Sequence, residues 1–204
     1  MPKLNFSLNS KLPGVGVTIF TVMTEKAREF QAINLAQGFP DFHCDPDLAQ
    51  YVADAIKRGE NQYAPMAGLL SLREEIAKSV ERWYGANYHP ESEITITSGA
   101  TEAIFDAIIS MIHPEQEVIV LEPCYDSYIP AIELAGGVPI YIPLKYPEYA
   151  IDWVSVQKRI NQRTKMIIIN SPHNPTGKTL TQEDMLMLSK ITKNTNIVII
   201  SDEV

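Results

Sequence analysis

The sequence predicts an α/β fold built around a parallel sheet. From residue 93 onward, short runs rich in valine and isoleucine alternate with longer amphipathic segments. Parallel strands that are covered on both faces have continuous apolar runs of this kind, and the amphipathic segments between them are typical of covering helices. Strand and helix therefore alternate, which is the pattern of an α/β protein.

The elements before residue 93 are predicted to be helical. Residues 17–30 form a short amphipathic segment between proline-containing stretches, and residues 46–58 begin with Pro46, which suits the first turn of a helix. Residues 69–83 carry apolar side chains at every third or fourth position, the spacing of one helix face. The change of pattern near Cys44 predicts a domain boundary between residues 1–43 and residues 44–204.

From residue 93 onward, predicted strands and helices alternate. The last helix has Thr181 before it and Asp184 three residues later, the spacing of a capping box. The predicted strands are 93–97, 117–121, 138–143, 166–170 and 196–201, and the predicted helices are 101–112, 127–134, 153–160 and 182–193.

Composition excludes several functional classes. The chain has 204 residues, 45% of them hydrophobic, and a net charge of -8 without any cluster of Lys or Arg. An acidic chain of this kind is a poor partner for nucleic acid or for an anionic membrane. No apolar stretch reaches the roughly 18 residues of a membrane span, and the N-terminus lacks the pattern of a signal peptide.

The cysteines and histidines predict neither a disulfide framework nor a metal site. Cys44 and Cys124 are the only two cysteines, and the four histidines lack metal-ligand spacing. We therefore expect a cytoplasmic protein with small-molecule or protein partners. The final run, NIVIISDEV, stops within a strand-like segment, which suggests that the sequence is part of a longer chain.

Small residues follow the first predicted strand directly. Ser98, Gly99, Ala100 and Thr101 lie where a helix is expected to begin. The free amides and the positive dipole end of a helix start attract anions such as phosphate. Simple helix capping explains the same residues, so both interpretations remain open.

A second motif, SPHNPTGK at residues 171–178, follows a buried strand. Open α/β sheets bind ligands at the carboxyl ends of their strands, and the prolines around Asn174 would aim its amide at such a ligand. A cis bond before Pro175 would fit this role. An ordinary strand-ending turn is the alternative.

Asp202 occupies the same kind of position, directly after the apolar run of the last strand. A carboxylate there is costly unless it meets a cation, a metal or a cofactor. Beside a pyridine nitrogen, it would keep that nitrogen protonated and make the ring an electron sink. Capping of the next element is the alternative.

Six motifs follow one another in a fixed order, at residues 33–42, 61–77, 97–105, 122–128, 171–178 and 201–204. In this order they resemble one known family, the fold type I, pyridoxal-phosphate-dependent class I/II aminotransferases. The resemblance covers nearly the whole chain, and the QGFPDF and SGATEA forms are most similar to the methionine and kynurenine aminotransferase branch. It implies a three-layer sandwich with a mostly parallel sheet. The arm and part of the small domain would be residues 1–43, and the N-terminal part of the large cofactor-binding domain would be residues 44–204.

The resemblance also implies roles for individual residues. The cofactor phosphate would contact Gly99, Ala100 and Thr101, and Tyr125 would stack on the pyridine ring. Asn174 would bind the ring hydroxyl and lie near the substrate, Asp202 would hold the ring N–H, and Gly38 would lie beside the substrate carboxylate. Tyr63 would reach the cofactor phosphate of the partner subunit in a homodimer. The residues concerned are Gly38, Tyr63, Gly99, Ala100, Thr101, Tyr125, Asn174 and Asp202.

The implied activity is transfer of an amino group between an amino acid, of the methionine or aromatic and apolar type, and a 2-oxo acid. In the family, the lysine that forms the Schiff base follows the position of Val204, and none of the 11 lysines here matches it, so the chain as given is expected to be inactive. A carbon–sulfur β-lyase of the same fold and a non-catalytic dimerising truncation remain alternatives. A nucleotide-binding doubly wound domain is disfavoured, because the chain lacks GxGxxG after a strand.

Overall fold

The computed structural model describes residues 9–38 and 40–203. These residues form two compact units. One unit is Val15–Ile96. The other consists of the residues from Thr97 onward together with the described residues before Val15. The predicted boundary between residues 43 and 44 stays a prediction, because it concerns the domains of a longer protein.

The unit Val15–Ile96 contains three helices: α1 (Ile19–Glu29), α2 (Pro46–Lys57) and α3 (Leu70–Tyr84). They agree with the three helices predicted from the sequence. The side chain of Asp45 accepts a hydrogen bond from the Asp47 amide at the start of α2, with Pro46 in the first turn. Gly85 ends α3 in the left-handed conformation, with φ of 67°.

The second unit has the alternating order that the sequence predicts. Its helices are α4 (Ala100–Met111), α5 (Tyr128–Leu134), α6 (Trp153–Arg159) and α7 (Gln182–Thr192). Its strands are β1 (Glu117–Glu122), β2 (Val138–Pro143), β3 (Thr164–Ser171) and β4 (Val198–Glu203). The predicted capping box is present, since the Thr181 side chain and the Asp184 side chain each accept from the other residue's amide.

The sheet has the order β2-β1-β3-β4, and every pair of neighbours is parallel. Alternate side chains of β1 and β3 enter two separate cores. One core contains α4 and α5, and the other contains α6 and α7. The expected three-layer sandwich with a parallel central sheet is therefore confirmed, and the carboxyl ends of its strands meet at one edge.

The predicted strand at 93–97 is wrong. Glu93 lies in a bend, and residues 94–97 have no regular secondary structure. A run of Ile and Thr favours β structure only if a neighbouring strand satisfies its backbone. Here the Ile96 amide donates instead to the Ala67 carbonyl, at 3.0 Å, in a loop. The described part of the chain therefore has four strands rather than the five expected.

No helix in the described ranges is long and apolar enough to cross a membrane. Both cysteines are free, Cys44 exposed and Cys124 half-buried. Within the same ranges, no cluster of three or more His, Cys, Asp or Glu side chains is placed to hold a metal ion.

Candidate active site

The junction before α4 forms a potential anion site. Gly99 has φ of 87°, a value that side-chain-bearing residues rarely adopt, and α4 begins at the next residue. The Ser98 amide donates to the Glu102 carboxylate. The amides of residues 100–102 precede the first hydrogen bond of the helix, which the Ala103 amide donates to the Gly99 carbonyl, so a ligand can bind them. Ala100 and Thr101 are exposed, so this turn is accessible.

Thr101 and Tyr125 meet at this junction. Their hydroxyl oxygens lie 3.2 Å apart, within hydrogen-bond distance, although 24 residues separate them in sequence. The Tyr125 ring packs edge-on against Tyr128, with ring centroids 5.6 Å apart and an interplanar angle of 83°. The aromatic residue expected to stack on a ring therefore lies directly beside the expected phosphate site.

Tyr128 continues this chain of contacts to β4. Its side chain is 2% exposed, and its hydroxyl donates a hydrogen bond to Oδ2 of Asp202. Burial, together with the Asp202 carboxylate, raises the pKa of Tyr128 far above its ordinary value. The hydroxyl therefore stays protonated and remains a donor to Asp202.

Asn170 joins Asp202 to the next loop. This side chain is 5% exposed and pairs with Asp202 in the β3–β4 register. Its Nδ2 donates to the Asp202 carbonyl oxygen at 2.8 Å, and its Oδ1 accepts from the Asn174 amide at 2.6 Å. The structure thus brings Thr101, Tyr125, Asn174 and Asp202 to one edge of the sheet.

The loop that carries Asn174 is held by its own hydrogen bonds. The His173 amide donates to the Lys178 carbonyl, and the Gly177 amide donates to the His173 carbonyl, both at 2.7 Å. The His173 ring is 6% exposed, with Nδ1 2.8 Å from Oγ1 of Thr176. Burial lowers its pKa, so the ring is neutral near pH 7. The cis bond expected between Asn174 and Pro175 is present.

A groove of about 310 Å³ lies between α4 and β4 at this edge. From β4 it is lined by Ile200, Ser201, Asp202 and Glu203, and from α4 by Ile104 and the alanines at 100, 103 and 107. The small alanine side chains of α4 leave room for a ligand beside the Asp202 carboxylate.

The Cys124 thiol near this edge is not a nucleophile. Burial raises its pKa to about 11, with the carboxylates of Glu122 and Asp126 adding to the effect. Cys124 is therefore a protonated thiol at neutral pH and a poor nucleophile.

The two remaining predicted site residues belong to the other compact unit. Tyr63 is fully exposed, at 102% of its reference accessibility. Gly38 lies in open surroundings, where an added Cβ would meet no atom within 4 Å. The expected obstruction by a side chain at this position therefore stays a prediction, as does the contact of Tyr63 with a partner subunit.

Two residues at the site were not singled out by the sequence. Tyr128 lies in the EPCYDSY motif and Asn170 is the last residue of the predicted strand 166–170, but neither position by itself reveals a contact with Asp202. Their partners are 74 and 32 residues away along the chain. A buried aromatic hydroxyl and a buried amide both require hydrogen-bond partners, and that requirement was the available signal.

Comparison with known proteins gives a consistent family. The model for "Aminotransferase class I and II" matches residues 31–204. Methionine aminotransferase of Escherichia coli K12 is 45% identical over 195 residues, which cover 96% of this chain and 50% of the relative. A probable N-succinyldiaminopimelate aminotransferase of Mycobacterium tuberculosis is 40% identical over 198 residues, with 96% and 50% covered. The chain thus spans about half the length of these curated relatives.

Solved structures agree. YbdL from Escherichia coli, whose structure and reactivity identify a methionine aminotransferase function, superposes with a TM-score of 0.94 at 44% identity, covering 98% of this chain and 52% of that one. A single mutant of aspartate aminotransferase from Thermus thermophilus superposes with a TM-score of 0.87 at 30% identity, covering 98% of this chain and 53% of that one.

Proposed function

Because the chain belongs to the class I and II aminotransferases, we propose that the complete protein moves an amino group between an amino acid and a 2-oxo acid with pyridoxal phosphate as cofactor. One observation supports this activity most strongly. Four of the residues expected to hold the cofactor lie on one connected set of contacts at the carboxyl edge of the sheet.

The residues present fit this cofactor. The first turn of α4 offers amides, and Thr101 a hydroxyl, for its phosphate group. Asp202 offers a carboxylate for a protonated ring nitrogen, and Asn174 offers a side-chain amide for the ring hydroxyl. When bound, pyridoxal phosphate supplies an electron-withdrawing ring that stabilises negative charge on the substrate.

Each residue at this edge would have its own role toward the bound cofactor. Asp202 would hold a proton on the ring nitrogen through its negative charge, while Tyr128 and Asn170 hold Asp202 in place. Tyr125 would cover one face of the ring and exclude water from it. Thr101, beside the Tyr125 hydroxyl, would orient the phosphate end.

The Asp202→Asn substitution tests the assignment. In the complete protein, it should lower turnover by orders of magnitude, because a neutral amide no longer favours the protonated ring. Cofactor affinity should change less. Asp47→Asn, at an exposed position of α2 in the other compact unit, is the matched control and should keep wild-type turnover. An unchanged rate in Asp202→Asn would remove Asp202 from the mechanism.

The proposed substrate is an amino acid of the methionine or aromatic and apolar type. Its support is the 45% identity to a methionine aminotransferase, together with the more distant similarity to a probable kynurenine transaminase of Saccharomyces cerevisiae, at 38%. Assays with methionine, phenylalanine and aspartate would rank the substrates. Release of pyruvate from a sulfur amino acid, without formation of its 2-oxo acid, would instead indicate the β-lyase; none of the relatives described here is named as a lyase.

We also propose that the complete protein is a cytoplasmic homodimer with shared sites. Tyr63 and Met66 are both fully exposed, as expected for side chains that contact a partner. Tyr63→Phe should weaken cofactor retention, and Tyr84→Phe, also exposed, is the control. Mixed dimers of a Tyr63→Phe subunit and an Asp202→Asn subunit should recover part of the activity. If they recover none, the sites are not shared.

The 204-residue chain by itself is proposed to bind the cofactor only noncovalently, because none of its 11 lysines matches the family's cofactor-bonding lysine. Treatment of the chain and cofactor with borohydride, followed by mass measurement, tests this. A stoichiometric reduced adduct on one lysine would contradict the proposal.

A further inference from the structure

We infer that Asn170 is a positioning residue that fixes the spacing between Asn174 and Asp202. It thereby sets the position in which the cofactor ring binds. The inference rests on the proposed function, since it assigns those two residues to opposite sides of one ring. Asn170 itself would touch neither the cofactor nor the substrate. It acts through the two residues that its side chain binds.

The geometry of Asn170 supports this role. The side chain is 5% exposed, so it is shielded from competing water. Its acceptor, Oδ1, is 2.6 Å from the Asn174 amide nitrogen, and its donor, Nδ2, is 2.8 Å from the Asp202 carbonyl oxygen. One planar amide therefore binds one backbone group on each side.

The position of Asn170 in the sheet explains why a side chain is needed. Strand β3 ends at Ser171, and Pro172 follows it without an amide hydrogen, so β3 makes no ladder pair beyond Ser171–Glu203, the pair after Asn170–Asp202. Asn174 lies past the end of β3 on an exposed stretch of loop. The side-chain amide of Asn170 binds Asp202 of β4 and the Asn174 amide of this loop, so it connects the loop to β4 where the backbone ladder does not.

Other anchors hold the loop but do not reach β4. The Leu180 amide donates to Oγ of Ser171 at 3.1 Å, which closes the base of the loop. His173 and Thr176 brace its interior. Loss of Asn170 should therefore leave the loop folded while freeing Asn174 to move relative to Asp202.

Asparagine is the residue type that this role requires. The side chain must offer one acceptor and one donor in a fixed plane. Aspartate keeps an acceptor for the Asn174 amide but turns a second oxygen toward the Asp202 carbonyl, where it cannot donate. Leucine has a similar volume and offers neither group. The two variants Asn170→Asp and Asn170→Leu therefore separate the two bonds.

Three measurements on the complete protein test the inference: the dissociation constant for pyridoxal phosphate, the dissociation constant of the apoprotein for inorganic phosphate, and hydrogen exchange of the Asn174 amide. Asn170→Leu removes both hydrogen bonds of Asn170 and should speed exchange at Asn174. It should weaken pyridoxal phosphate binding by about tenfold, the effect of losing one hydrogen bond between a displaced Asn174 and the cofactor ring. Asn170→Asp should also weaken cofactor binding but keep exchange at Asn174 slow.

The affinity for inorganic phosphate separates positioning from general destabilisation. Phosphate would bind at the start of α4, which Asn170 does not touch, so both variants should keep wild-type phosphate affinity. Asn161→Asp is the matched control. Asn161 Nδ2 donates to Oε2 of Glu117 at 2.7 Å near the opposite end of β3. This change should reduce stability while leaving cofactor affinity unaltered.

Two results would overturn the inference. One is wild-type cofactor affinity in Asn170→Leu, and the other is a parallel loss of cofactor and phosphate affinity, which would indicate disruption of the whole edge. A wild-type protein that does not bind pyridoxal phosphate at all would overturn the proposed function and, with it, the role of Asn170.

Discussion

The contact between Tyr128 and Asp202 gives a prediction that needs no cofactor. Tyr128→Phe removes only the hydroxyl that donates to Oδ2 of Asp202 and leaves the buried ring packed against Tyr125. A hydrogen bond to a charged group contributes about 1.5–3 kcal/mol. Asp202 is only half-buried, so water can replace the lost donor, and we expect the lower end, about 1.5 kcal/mol off the free energy of unfolding.

Urea unfolding of the complete protein would measure this loss, with Tyr146→Phe as the control. Tyr146 is 80% exposed, so removing its hydroxyl should leave the unfolding free energy unchanged. A double-mutant cycle that adds Asp202→Ala should show that the two changes are not additive. If Tyr128→Phe costs less than about 0.5 kcal/mol, the range of an ordinary surface change, then the hydrogen bond does not stabilise this edge.

The stability that the Tyr128 hydroxyl contributes should depend on pH in one direction only. Burial and the neighbouring carboxylate raise the pKa of Tyr128 in the folded protein above its value of about 10 in the unfolded chain. The stability that the hydroxyl contributes is therefore complete below about pH 10 and is lost as the pH rises further. The difference between wild type and Tyr128→Phe should accordingly be constant between about pH 6 and pH 9.

Three further changes should have distinct outcomes in urea unfolding. Gly68→Ala should cost about 3 kcal/mol or more, because Gly68 has φ of 90° and an added Cβ would collide with the Ile96 side chain. Thr181→Ala should cost about 1 kcal/mol by removing the capping box with Asp184. His173→Gln should flatten the pH dependence: burial lowers the folded pKa of His173, so its contribution is complete above about pH 6.5 and is lost as the pH falls from there through the folded pKa.

Each of these changes has a matched control. Gly85→Ala has the same kind of positive φ but open space around the new Cβ, so it should cost clearly less than Gly68→Ala. Thr181→Ser keeps the capping hydroxyl and should retain most of the stability. His113→Gln, at an exposed position, should leave the pH dependence of unfolding unchanged. Equal effects of a change and its control would contradict the corresponding explanation.

Local chemistry in the sequence is sufficient to predict most of the elements. Pro46 at a helix start, the pair Thr181 and Asp184 and the valine- and isoleucine-rich runs each act over a few residues, so they specify helix starts and buried strands wherever the chain places them. Gly99, Asn174 and Asp202 were also readable as candidates, because each follows an isoleucine-rich run within a few residues.

Tertiary structure decided what depends on partners distant in sequence. The segment 93–97 has strand composition, but strand formation requires a neighbouring ladder, and none of the described strands pairs with it. The contacts that Tyr128 and Asn170 make with Asp202 arise only when β3 and β4 align in register and α5 packs on the sheet. Sequence therefore determined the order of the elements and the residues at their ends, whereas packing of the parallel sheet decided which of those residues bind one another, because such contacts depend on the register between distant strands rather than on local propensity.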